Sequence, residues 1–225
     1  MIADWGRLVQ NKAQFDLIET MRFDPAGGIL LLERHIARIG ESARVFGYPF
    51  DRHGARNELQ AATFHVHEPR RVRLMLAPSG RIAIEVGRHY AAPVEMVKVC
   101  AVALPVAADD IRLRHKTSDR GFYRDALAAA GSFEIALVDR DGFVTEGSFT
   151  NIFVRGDGIL VTPPLSRGLL PGVLRAELIA NGSAVESDVR VDDLAANSFF
   201  IGNACRGLFS AQLRSGSQKL RSTAL

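Results

Sequence analysis

The stretch Phe15-Asp16-Leu17-Ile18-Glu19-Thr20-Met21-Arg22-Phe23, followed by Asp24-Pro25-Ala26-Gly27-Gly28, decides the architecture of the first part of the chain. Its residues alternate well enough for a strand over 15–23, and the Pro-Gly-rich run after it supplies a turn. Residues 29–32 then read as the returning strand of a hairpin. From Glu33 the period changes. Ile36, Ile39, Ala43 and Phe46 recur at three and four residues, which predicts an amphipathic helix over 33–46, stopped near Gly47 and Pro49. Asp51 is placed to cap a second helix running to about Phe64. Strands at 70–77 and 81–87, joined by Pro78-Ser79-Gly80, complete two hairpins and two helices, an α+β arrangement.

Working outward, residues 88–93 (Arg-His-Tyr-Ala-Ala-Pro) are the best linker, which divides the chain into an N-terminal domain, 1–90, and a C-terminal domain, 91–225. The second part is strand-rich. A Val-rich strand at 94–104 leads into a loop, 105–118, and a helix of about 119–130. Strands are expected at 133–138, 143–146, 150–154 and 159–161, with Asp141-Gly142 and Asp157-Gly158 as tight turns. Pro171 suits the first residue of a helix ending near Asn181-Gly182, and strands at 184–190 and 198–202 close the unit. This pattern fits a closed or nearly closed barrel.

The chain has 225 residues, 47% of them hydrophobic, enough to bury a sizeable core. Its net charge is +3 and its arginines are scattered, which argues against a duplex-DNA reader and suits a pocket for anionic small molecules. Cys100 and Cys205 lie far apart in apolar segments, so reduced, buried thiols are expected. The N-terminus lacks a signal-peptide core and no apolar run reaches the ~18 residues of a membrane span. A soluble, cytoplasmic protein is the expectation, with neither nucleic acid nor membrane as partner. No metal is expected: the i, i+2 pair His65 and His67 has no zinc-site spacing, and Asp109-Asp110 reads as a loop acid pair.

Five short segments carry chemistry. In Arg114-His115-Lys116-Thr117-Ser118-Asp119-Arg120, a lysine flanked by cations has its ammonium form disfavoured, which favours a nucleophilic amine; a solvated basic loop is the plainer reading. In Thr145-Glu146-Gly147-Ser148-Phe149-Thr150-Asn151, the glutamate could hold a protonated pyridine nitrogen, or simply end a strand. In Leu169-Leu170-Pro171-Gly172-Val173-Leu174-Arg175, a helix start offers backbone N–H groups to a phosphate, although many helices begin this way. Arg38, in His35-Ile36-Ala37-Arg38, lies on the shoulder of the apolar stripe and could reach an anion or solvent. Phe200-Ile201-Gly202-Asn203-Ala204-Cys205-Arg206-Gly207 runs from a buried strand into a polar turn.

Taken in order, H-x-x-R, K-T, T-E-G-S-x-x-N, L-x-P-G-x-x-R and N-A-x-R-G resemble the class IV aminotransferases, from about Phe15 to Phe209. That resemblance implies two α+β domains, an N-terminal α/β sandwich and a C-terminal barrel-like domain, with pyridoxal 5′-phosphate (PLP) in the cleft between them. It implies that Lys116 binds the cofactor covalently and serves as acid and base, and that Glu146 pairs with the ring nitrogen. Arg38 would bind the phosphate with the backbone of Val173 and Leu174 and the turn at Asn203-Ala204.

Within the family the chain is most similar to 4-amino-4-deoxychorismate lyases, on FDLIETMRF, FGYPFD, RHKTSDR and NACRGLF. Ala77-Pro78-Ser79-Gly80 stands where aminotransferases more often carry an R-G motif. A branched-chain or D-amino-acid aminotransferase is the alternative. Arg73 and Arg114 could recognise substrate carboxylates, or be surface arginines. A homodimer is implied, with an aminodeoxychorismate synthase component as a further candidate partner. One departure is that only Trp5–Gln14 stands where the family typically carries an extra strand pair and a D-R-G stretch.

Overall fold

The computed structural model describes residues 15–196 and 198–214. The Trp5–Gln14 stretch lies outside them. The chain divides into two units, one holding the described residues up to Tyr90 together with His115–Asp119, the other holding Ala91–Arg114 and the described residues from Arg120 onward. Lys116 therefore sits in the first unit, although it lies after the 88–93 linker.

In the first unit, β1 (Leu17–Asp24), β2 (Gly28–Ile29), β3 (Arg70–Leu76) and β4 (Ile82–Arg88) form an antiparallel sheet in the order β2-β1-β3-β4. Helices α1 (Leu32–Phe46) and α2 (Arg52–Thr63) supply the second layer. Leu17, Met21, Val72, Leu74 and Leu76 pack with Ile36, Ile39, Ala43, Ala55 and Leu59 in one apolar cluster. Asp51 caps α2 as expected, accepting from the His53 N–H at 2.9 Å. The returning strand is shorter than its apolar residues suggested. Leu31 adopts a left-handed conformation (φ 54°) and turns the chain into α1 two residues after β2 ends.

The second unit is built on a seven-stranded sheet. Its strands are β5 (Val97–Ala103), β6 (Glu134–Val138), β7 (Asn151–Arg155), β8 (Leu160–Thr162), β9 (Ala184–Glu186), β10 (Phe199–Asn203) and β11 (Gly207–Leu213), in the order β6-β5-β11-β10-β7-β8-β9. Pairing is parallel at β5–β6, β11–β5 and β8–β9. Helices are α3 (Ile111–Arg114), α4 (Gly121–Ala130), α5 (Val173–Ala180) and α6 (Val191–Ala196).

The expected strand at 143–146 is not a regular strand, yet it bonds at both edges of this sheet. The Leu137 N–H donates to Glu146 O and the Thr145 N–H to Leu137 O on the β6 side, while the Val144 N–H donates to Val189 O beyond β9. These bonds bring the edges of the sheet close to closure and leave every residue of β6 buried.

Three other expectations are corrected. The strand expected at 184–190 stops at Glu186. Pro171 does not open its helix: Gly172 is the N-cap and Val173 the first helical residue. Strand β11 went unread, although it is the parallel partner of β5. Cys100 is buried, while Cys205 is half-buried.

Candidate functional site

Each unit gathers its own set of the singled-out residues. In the first, β3 lies along one edge of β1, and residues 116–118 bond to the other. The Ile18 N–H donates to Lys116 O at 2.8 Å, the Ser118 N–H to Asp16 O at 2.8 Å, and the Asp16 N–H to Ser118 Oγ at 2.9 Å. An unpaired strand edge leaves backbone groups without partners, and this returning segment satisfies them. Thr117 is fully buried at that seam. His115 turns onto α1, its Nδ1 2.9 Å from Ser42 Oγ and its ring edge-on to Phe46.

One residue along β1, Glu19 is buried beneath α1. It receives Arg38 Nε at 2.8 Å and Nη2 at 2.6 Å on its two oxygens, and His35 Nδ1 at 2.6 Å. Burial pushes the Glu19 carboxyl up, but the Arg38 charge, then His35 and the hydrogen bonds from both, outweigh it and bring the pKa down to about 2. Arg38 thus has an internal carboxylate as a partner, which the sequence did not reveal. Its helical position places it over β1 and not on the outer face.

In the second unit, the turn 146–151 is the meeting point. Glu146 is almost fully buried and accepts from the Tyr123 hydroxyl at 2.6 Å. Burial, then the Glu146 charge, push the Tyr123 phenol well above its usual range, so it stays a donor. Arg120 lies over the Tyr123 ring at 4.1 Å and donates to Ser148 O at 2.8 Å, while its Nη1 is buried without a hydrogen-bond partner among the described residues.

Two other motifs join the same turn. Asn151 Nδ2 donates to Leu170 O at 3.2 Å, and its Oδ1 lies so close to Gly172 that a Cβ there would come within 1.7 Å. Asn203 Nδ2 donates to Phe149 O at 3.1 Å, and its Oδ1 accepts from the Cys205 and Arg206 N–H groups. The Asn203 side chain therefore organises this turn and ties it to 146–151. Arg175 points back into the fold, to Pro163 O at 2.7 Å and to Glu186.

The residues fit a phosphorylated pyridine aldehyde. Gly172 provides no side-chain cap, so the Val173 and Leu174 N–H groups at the start of α5 have no intrahelical partner and can meet an anion. Glu146 lies in a buried setting, where a carboxylate favours a protonated partner. Of the two candidate substrate arginines, Arg114 is exposed, while Arg73 is half-buried on β3, paired in register with Thr20 and Glu85. Tyr123, Glu19 and Glu134, none of them a candidate from the sequence alone, are the buried groups that contact the candidate segments. A tyrosine seven residues after the lysine, and acids inside apolar strands, were the available signals.

A Schizosaccharomyces pombe protein named "Putative aminodeoxychorismate lyase" is 27% identical over 186 residues, 77% of each chain. The solved structure of a "Putative amino-acid aminotransferase" from Mesorhizobium loti matches with a TM-score of 0.83 and 36% identity, covering 89% of this chain and all of that one. A Mycobacterium tuberculosis "hypothetical aminotransferase", solved in an α-ketoglutarate- and PMP-bound form, matches at TM-score 0.76 and 20% identity, over 91% of this chain and 83% of that one, a likeness of fold. The model of the amino-transferase class IV family matches residues 16–213. Over that length the chain belongs to the class IV aminotransferases, a family of PLP-dependent enzymes.

Proposed function

We propose that this enzyme is a 4-amino-4-deoxychorismate lyase, releasing 4-aminobenzoate and pyruvate for folate precursor synthesis. The observation that carries this reading is the lyase-named relative's match over 77% of both chains. The β3–β4 turn supports it. There the Ala77 N–H donates to Arg81 O and the Gly80 N–H to Ala77 O, and Gly80 packs on Pro49. Those donors are spent inside the turn, where an aminotransferase R-G motif would present them to a substrate carboxylate.

When bound, PLP supplies an electrophilic aldehyde for the substrate amine and a ring that accepts an electron pair. Lys116 Nζ would hold the cofactor and, as a free amine, would take the proton from carbon 4 of the substrate ring. Glu146 keeps the pyridine nitrogen protonated, with Tyr123 fixing one of its oxygens. Val173 and Leu174 donate their N–H groups to the phosphate, with Arg38 adding charge and the Asn203-Ala204 turn closing that side. Loss of the enolpyruvyl group leaves an aromatic product, which makes this branch of the chemistry strongly downhill. Arg73 and Arg114 are the candidate carboxylate contacts. We include in the proposal a homodimer supplied by an aminodeoxychorismate synthase component.

The test is product release. Purified protein carrying PLP, given aminodeoxychorismate, is expected to yield 4-aminobenzoate and pyruvate in equal amounts, and Lys116→Ala to lose both this and borohydride-trappable cofactor. Transfer of amino groups from branched-chain or D-amino acids to 2-oxo acids, with no 4-aminobenzoate formed, would overturn the lyase reading in favour of the aminotransferase.

A further inference from the structure

Glu134, the first residue of β6, is fully buried, and its partners are neutral donors. One oxygen accepts from the Ile135 N–H at 2.9 Å, the Ser148 N–H at 2.8 Å and Ser148 Oγ at 2.6 Å. The other accepts from the Phe149 N–H at 3.1 Å and Thr150 Oγ1 at 2.9 Å. Three consecutive residues of the turn after Glu146 thus converge on one carboxylate, an arrangement that backbone N–H groups adopt around an anion. A Cβ on Gly147 would stand 2.5 Å from Thr150 Oγ1 and 2.8 Å from the Glu134 carboxylate, so the intervening residue must be glycine.

On its other side Glu146 is held by the strand bonds to Leu137 and by Tyr123. Its backbone direction beyond Thr145 is therefore set by two anchors, of which Glu134 is the second. Burying a carboxylate without a cation is costly, and an apolar side chain would fill this core position at lower cost. What only a carboxylate provides here is a pair of oxygens able to accept four bonds from a turn with no regular ladder to join, besides the one from the Ile135 N–H. Without it, the Ser148 and Phe149 N–H groups would be left buried and unsatisfied.

We propose that Glu134 is a positioning residue for Glu146, acting through the Gly147–Thr150 turn to hold the Glu146 carboxylate in line with the cofactor ring nitrogen. This rests on the reading of Glu146 as the ring-nitrogen partner. Glu134→Gln keeps the shape but replaces an acceptor with an amide donor facing N–H groups. It is expected to raise the dissociation constant for PLP by about ten-fold, and to move the pH titration of the bound cofactor's absorbance toward that of Glu146→Gln.

In the double variant Glu134→Gln/Glu146→Gln, the PLP deficit is expected to match that of Glu146→Gln alone within about three-fold, because the two residues act as one unit. Should Glu134→Gln fail to fold, the pair Ser148→Ala/Thr150→Val removes two donors and leaves the carboxylate. It is expected to shift PLP binding and the absorbance titration in the same direction by a smaller factor. Wild-type binding and titration in a folded variant, or deficits that multiply in the double variant, would overturn the proposal and leave the cofactor reading intact. A wild-type protein that retains no PLP would remove that reading, and the proposal with it.

Discussion

Each unit buries a glutamate beneath its motif residues, Glu19 on β1 and Glu134 on β6, and the two are held in opposite ways. Glu19 faces a guanidinium and an imidazole; Glu134 faces backbone N–H groups and hydroxyls. Burial acts on both in the same direction, upward. Around Glu19 the positive charge of Arg38, with His35, overcomes it. At Glu134 burial wins over the hydrogen bonds from Ser148, Ile135 and Phe149 and leaves the carboxyl raised. One carboxylate steadies a cation by charge; the other shapes a turn by geometry. The same residue type thus fixes an arginine side chain in one unit and a peptide backbone in the other.

The contrast is broken most sharply by removing the charge of Glu19. Glu19→Gln leaves Arg38 and His35 without their anion in a buried setting, and should cost about 3 kcal/mol at neutral pH. Urea denaturation measures this, and a loss below about 1 kcal/mol would mean that the ion pair is no stronger than one on the surface.

A pH series sharpens the difference next. Glu19 has a folded pKa of about 2 against an ordinary 4.5, so as pH falls the unfolded chain takes up its proton first. Its stabilisation is fully present above 4.5 and is lost between 4.5 and about 2. Glu134 is raised, so the folded state binds the proton first, and its contribution to stability falls as pH rises beyond 4.5. Denaturation midpoints across this range should lose their acid limb in Glu19→Gln and keep it in Glu134→Gln; identical profiles would erase the distinction.

The smallest effect is expected at Arg114, which is exposed and outside both clusters. Arg114→Ala should leave stability within about 0.5 kcal/mol. A several-fold rise in KM with kcat unchanged would establish it as a carboxylate contact, and an unchanged KM would assign it to the surface.

Much of the first unit was open to sequence reasoning because its elements are local. The switch from alternation to three-four spacing at Glu33 and the cap at Asp51 are properties of neighbouring residues, and both helices appear within a residue or two of their expected ends. The second unit was harder. Strand β11 pairs in parallel with β5, over a hundred residues earlier, and no short-range pattern announces such a partner. The 143–146 segment alternates like a strand but splits its bonds between two edges. For the candidate site, the motifs named the candidate residues, while the buried groups that contact them stayed hidden. Glu19 and Glu134 sit in apolar strands where a single acid is indistinguishable from one pointing to solvent. Tyr123 looks like any aromatic on an amphipathic helix.

The seam between β1 and residues 116–118 also bears on synthesis and on engineering. A ribosome that has released the first 90 residues has made β1 to β4, α1 and α2, but the Asp16–Ile18 edge waits for residues that emerge some 25 positions later. A fragment ending at Tyr90 would therefore expose that edge to other chains, with aggregation as the hazard. A durable version of the first unit would need the His115–Asp119 pentapeptide grafted back onto it.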